Sequence, residues 1–277
     1  MSVESGFRAP RRSRDELRAL LLTTGVELLQ ERGLAGGAPH ITLNEVFAAL
    51  AERRGERVTP ASVYKRIWDT QADYQLDLLV SAAAYYPDGE EQPTLDAARA
   101  VVRAADRSTT DGRQAALREV CRVAGDVHVR VLEASRAWQI WVGVWALTVS
   151  TPSKDDDRVL GPALLAGHEK ATAALRTALD EIVSVLGFRV QAPLSVDQLA
   201  FAIGALAEGM ALRDRFATVD RTMTLPRRGD GVASPDWTLF GVAVDALMAR
   251  FLEPDPDWAE PPAIPPPCTG YTEYTDQ

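Results

Sequence analysis

An all-α chain is what the sequence predicts, and three observations carry that expectation. Apolar residues recur at three- and four-residue spacing over most of the chain, and several such stretches open on a side chain able to cap a helix. Alternating runs of Val, Ile, Thr and aromatics bounded by Asn-Gly or Asp-Gly turns are missing. Leu17, Leu20, Leu21, Thr24, Leu28 and Leu29 mark a first helix of about five turns, which Gly33 stops. Thr42 and Glu45 fit a reciprocal capping box ahead of Val46, Phe47 and Leu50, so a second helix starts there and ends near Gly55. Thr59 as N-cap and Pro60 at the first helical position open a short third helix through about Trp68. Asp69 caps a fourth, with Leu76, Leu79 and Val80 among its apolar positions, running to Tyr85 and Tyr86. Pro87-Asp88-Gly89 with Glu90-Glu91 makes a break. Beyond it, helical patterns fill most of 94–149, 158–187, 195–217 and 236–252. Residues 151–157 and 226–235 are expected to be polar linkers, and 256–277, rich in proline without an apolar period, a disordered tail.

The length of 277 residues suits one large or two modest domains, and 46% apolar with 25% charged residues is the balance of a folded soluble chain. Cys121 and Cys268, far apart and without a Cys-x-x-Cys spacing, support neither a disulfide framework nor a cysteine zinc site. A polar, arginine-rich start predicts no export signal. The most apolar run, Ala137 to Leu147, is about half of the roughly 20 residues that cross a membrane, so a cytoplasmic protein without a membrane partner is expected. The net charge of −9 is unevenly spread: residues 1–80 carry 11 basic and 11 acidic side chains, which leaves all the excess acidity to the remainder. Two functional halves follow from that asymmetry.

The signatures of common enzymes are missing. There is no Gly-x-Ser-x-Gly, phosphate loop, Gly-x-Gly-x-x-Gly or His-Glu-x-x-His, and His168-Glu169 is an adjacent pair whose side chains diverge on a helix. No catalytic residue, metal or cofactor is therefore expected.

Two short helices joined by a turn, the second opening on Thr-Pro, have the layout of a helix-turn-helix, whose second helix can enter the major groove. The residues add to this. Leu28-Leu29-Gln30-Glu31-Arg32-Gly33, Ile41-Thr42-Leu43-Asn44-Glu45-Val46 and Ser62-Val63-Tyr64-Lys65-Arg66-Ile67 together resemble the tetracycline-repressor family of regulators over roughly residues 14–80. Ala205 to Leu212 and Leu239 to Phe251 look like that family's last two helices. The turn Gly55-Glu56-Arg57-Val58 is about two residues longer than the family's common turn.

The resemblance implies a basic arm over 1–13, a three-helix helix-turn-helix DNA-binding domain over 14–83, a larger helical ligand-binding and dimerisation domain over 84–255, and the tail. It further implies that Thr42, Tyr64 and Arg66 meet the DNA backbone, with Thr70 standing where the family often has a phosphate-binding lysine. Thr59, Pro60, Ala61, Ser62 and Lys65 would face base edges. Arg8, Arg11, Arg12 and Arg14 either reach DNA or form a solvated terminus.

In the larger domain Trp138, Trp141 and Trp145 share one helical face, which suits a hydrophobic effector and equally suits a core. His128 and His168 are further polar candidates. The many small side chains of helix 195–217 allow close approach of backbones, so Ala205, Gly209 and Leu212, with Val242 and Leu247 of the last helix, are candidates for a homodimer seam. The expected function is a homodimeric, ligand-responsive regulator on a pseudo-palindromic double-stranded operator, released by a small molecule. The longer turn and the neutral N-terminal region keep a helical adaptor without DNA binding as the alternative.

Overall fold

A reciprocal capping box opens the first helix of the computed structural model, which describes residues 12–34, 41–64, 66–87, 89–150, 154–216, 222–226 and 233–259. The Ser13 hydroxyl accepts from the Glu16 amide at 3.2 Å while the Ser13 amide donates to the Glu16 carboxylate at 2.7 Å, so two orphan donors are satisfied at once. This helix, α1 (Arg14–Arg32), stops at Gly33, whose φ of 74° favours glycine. α2 (Leu43–Arg54) starts at Thr42 and ends at Gly55 in the left-handed conformation, both as the sequence predicts.

The third helix is different. Only a 3-10 turn, Pro60–Ser62, forms where a helix through about Trp68 is expected. The Tyr64 amide donates to Pro60 O at 2.9 Å and the Ile67 amide to Val63 O at 2.9 Å, giving two separate turns that do not join into a helix. α3 (Gln71–Ala83) is capped by Thr70, one residue later than the expected Asp69, and ends before Tyr85. There follow α4 (Gln92–Ala104), α5 (Thr110–Ala134), α6 (Arg136–Ser150), α7 (Lys154–Val185), α8 (Val196–Asp214) and α9 (Leu239–Phe251).

The chain is mostly helical, as expected, but short strands are present. β1 (Phe188–Val190) pairs antiparallel with β4 (Leu252–Pro254), and β2 (Thr222–Pro226) with β3 (Ala233–Thr238). β1 and β4, three residues each, are too short to show an alternating pattern; β2 does alternate, with Thr222 and Thr224 exposed and Met223 and Leu225 half-buried, but over four residues only. Parts of both expected linkers are regular: α7 begins at Lys154, and Pro226 and Ala233 pair across β2 and β3, while 151–153 and 227–232 lie outside the described residues. Of the expected tail, residues 256–259 are described, and there Trp258 is packed against Gly187. Residues 260–277 lie outside the described residues, as do Arg8 and Arg11.

Contacts divide the chain into two units: residues up to Tyr86 with Arg136–His168, and Pro87–Ser135 with everything from Glu169 onward. The expected boundary near residue 84 falls close to the first break, but residues 136–168 group with the N-terminal helices and not with the rest of 84–255. The first unit is built around Leu21, Leu29, Val46, Leu50, Val63, Trp68, Tyr74 and Leu78, with Ile140 and Val144 of α6 and Leu160 and Leu164 of α7 completing the core. Burying each such side chain contributes about 1.5–3 kcal/mol. Gly25 makes room for Tyr74, because a Cβ there would lie 2.3 Å from the phenol oxygen.

In the second unit α5 is central: Val120, Cys121 and Ala124 meet Ile182 of α7, Ile203 of α8 and Phe240 and Val244 of α9 in one apolar cluster. Burial raises the Cys121 thiol pKa, so it stays protonated at neutral pH, a small apolar side chain as expected.

Candidate nucleic-acid interface

Thr42 sits at the N-terminus of α2, where free amides and a hydroxyl are expected to take a phosphate. In the structure a carboxylate is already there. Glu45 accepts from the Thr42 amide and hydroxyl, both at 2.8 Å, and from Arg32 at 2.6 Å. The Thr42 backbone bond, then Arg32, then the Thr42 hydroxyl hold the Glu45 pKa down at about 2. Thr70 repeats the arrangement at α3: its amide and hydroxyl both donate to Asp73 at 2.8 Å. Between the two helix starts Gln71 acts as a clamp, accepting from the Leu43 amide at 3.1 Å and donating to the Ile41 carbonyl at 3.2 Å. The clamp fixes the beginning of α3 against the beginning of α2. Gln71 follows Thr70 directly, but nothing in its spacing marks a partner some thirty residues away.

The segment between α2 and α3 holds the remaining candidates. Thr59, Pro60 and Ala61 are exposed, and Thr59 makes no capping hydrogen bond with its side chain. Ser62 closes the 3-10 turn, its side chain outside the described residues, as is the whole of Lys65. Tyr64 is half-buried against the core and Arg66 is exposed. Beneath them Val63 and Trp68 are buried; the Trp68 indole donates to Asp77 at 2.6 Å and meets Tyr74 edge-on at 5.0 Å. Arg18 of α1 donates to the same carboxylate at 2.8 Å. Trp68 thus anchors the segment to α1 and α3.

Most described arginines around this segment are paired with carboxylates. Arg12 pairs with Glu56, Arg18 with Asp77, Arg32 with Glu45, Arg53 with Glu31 and Arg54 with Glu27. Arg57 and Arg66 of the segment are exposed and make no ion pair among the described residues, and outside it the same holds for Arg14 at the start of α1. Arg57 was not among the expected contacts; its place in the lengthened turn is the signal that marks it.

The effector candidates divide between the units. Trp141 and Trp145 stack at 6.5 Å with nearly parallel rings, and His168 lies 6.3 Å from Trp141, so the first unit brings these three together. Along the same face Trp138 is buried and Trp145 is 45% exposed. His128 belongs to the second unit, stacked on Phe240 at 5.9 Å, and desolvation lowers its pKa to about 4. Ala205 is exposed on α8; Gly209 and Leu212 on α8, and Val242 and Leu247 on α9, are half-buried. Phe201, four residues before Ala205, is 59% exposed, and a Cβ on Gly204 or Gly209 would meet nothing within 4 Å. Together they form an outward apolar stripe.

Among the described residues no helix is long and apolar enough to cross a membrane. Compared with protein-family models and with curated proteins, the chain matches none.

Proposed function

We infer that the chain is a homodimeric DNA-binding transcription regulator of the kind its N-terminal residues resemble, acting as a cytoplasmic repressor on a pseudo-palindromic operator and released by a small-molecule effector. The observation that carries this is the segment between α2 and α3: it is anchored from below by Val63 and Trp68, and it presents Arg57 and Arg66 unneutralised in a region whose other described arginines mostly hold carboxylates. Cations left free on one exposed segment are what a phosphate backbone attracts. The outward small-residue stripe of α8 supports a symmetric seam, and the Trp141, Trp145 and His168 rings support an apolar, flat effector. Regulation then needs two dimer states, of which one places its segments to match half-sites roughly 34–36 Å apart. An effector preferring the other state by about 1–3 kcal/mol lowers operator affinity about 5–150-fold.

A second reading, a helical adaptor without DNA binding, draws on the same segment. Its helix is broken, and Glu45 and Asp73 occupy the two helix starts expected to take phosphates. Selection from random duplexes by the full-length protein, at physiological salt with excess competitor, separates the two. The regulator enriches a two-fold symmetric site that it protects from cleavage; the adaptor enriches none.

A further inference from the structure

Arg113, on the first turns of α5, is 9% exposed, and no carboxylate lies within salt-bridge range of it among the described residues. Its neighbours on the same pair of helices are treated differently. Arg99 holds Glu181 through two bonds of 2.7 and 2.8 Å, and Arg118 holds Asp245 at 3.3 Å. Arg113 instead donates Nη1 to the Arg107 carbonyl at 3.3 Å and Nη2 to the Thr110 hydroxyl at 3.2 Å, both long, while Nε has no acceptor. The Nε and Nη2 edge is the one that takes a carboxylate through two parallel bonds.

What lies over the guanidinium is Trp258, its ring centroid 4.4 Å from Cζ. The indole is seated on the other side, donating Nε1 to the Ser184 carbonyl at 2.9 Å and filling the space where a Cβ on Gly187 would lie 2.7 Å from it. Pairing of β1 with β4 and a bond from the Asp255 amide to Gly187 O bring the ring there. A ring face attracts a cation without neutralising it, and a charge removed from water calls for a counter-charge.

We propose that Arg113 anchors a binding site for a small carboxylate with an apolar body, and that the Trp258 indole is the aromatic wall of that site. One guanidinium matches one negative charge, and the positive end of α5 adds to it, whereas a phosphate dianion would leave charge uncompensated in a buried place. The indole face suits an apolar body beside the carboxylate. Nothing in the site depends on DNA binding, so the two are tested apart.

The test is calorimetric titration of the full-length protein, without DNA, with benzoate, using inorganic phosphate and chloride at matched ionic strength as comparators. Benzoate is expected to give a saturable heat that weakens at least tenfold in Arg113→Gln and several-fold in Trp258→Ala, where the apolar wall is gone; phosphate titrates as chloride does. Should Arg113→Gln lose its helical circular dichroism, Arg113→Lys, which keeps the charge without the fork, takes its place and is expected to weaken benzoate several-fold. Benzoate heat equal to that of chloride in the wild type, affinity indifferent to the Arg113 substitutions, or a preference for phosphate would each overturn the proposal.

Discussion

α2 and the segment 59–68 both open on a threonine, yet one becomes a regular helix and the other two unjoined turns. Thr42 finds a carboxylate three positions on and closes a box with Glu45, as Thr70 does with Asp73. Thr59 is followed at that position by Ser62, and its side chain caps nothing. The missing carboxylate is not sufficient by itself, because Thr109 and Thr238 open α5 and α9 with glycine there and still accept a capping bond. The segment adds a run of β-branched and aromatic residues, Val63, Tyr64, Ile67 and Trp68, which lose side-chain freedom in a helix. Local chemistry therefore shapes α2, whereas tertiary packing shapes 59–68.

The largest expected effect that breaks this contrast is at the anchor. Trp68→Ala should cost about 3–5 kcal/mol, read from denaturant unfolding, and should release the segment from Asp77 while leaving α2 intact. Thr42→Ala acts on the other side of the comparison: losing the cap should cost about 1 kcal/mol by the same measurement. A smaller effect comes through pH. Because the folded Glu45 carboxyl is held at about 2, below its ordinary 4.5, its stabilisation is present above 4.5 and is lost as the pH falls from there through about 2. Glu45→Gln should flatten that part of the acid unfolding curve, modestly, since the carboxylate is partly exposed and screened. The smallest effect sharpens the comparison: Ser62→Glu supplies the acid that Thr59 lacks and should add about 0.5 kcal/mol and some helical circular dichroism, if a cap is part of what the segment is missing.

What was legible in the sequence follows the same division. The ends of α1 and α2 were readable because Gly33, Gly55 and the Thr42 to Glu45 spacing act within a few residues of themselves. The break in the third helix was not, because Thr-Pro is a sound start and the conflict lies in side chains that also pack a core. Grouping of α6 with the N-terminal helices was equally hidden: the apolar spacing of Ile140 and Val144 marks a buried face without naming what covers it. The tryptophan stripe shows a further limit. One face carries all three rings, but it is buried at Trp138 and open at Trp145, which spacing alone does not distinguish. The prolines that follow Trp258 place it in a tail, while its contacts with Ser184 and Gly187 are made far away in sequence.

The proposed regulator would read DNA through this packed but irregular segment. The most direct test is the affinity of Lys65→Ala with Arg66→Ala for the duplex that the wild type selects, compared at several salt concentrations. At least a tenfold loss and a shallower salt dependence are expected, with the helical circular dichroism unchanged. Unchanged affinity and salt slope in a folded double variant would contradict it.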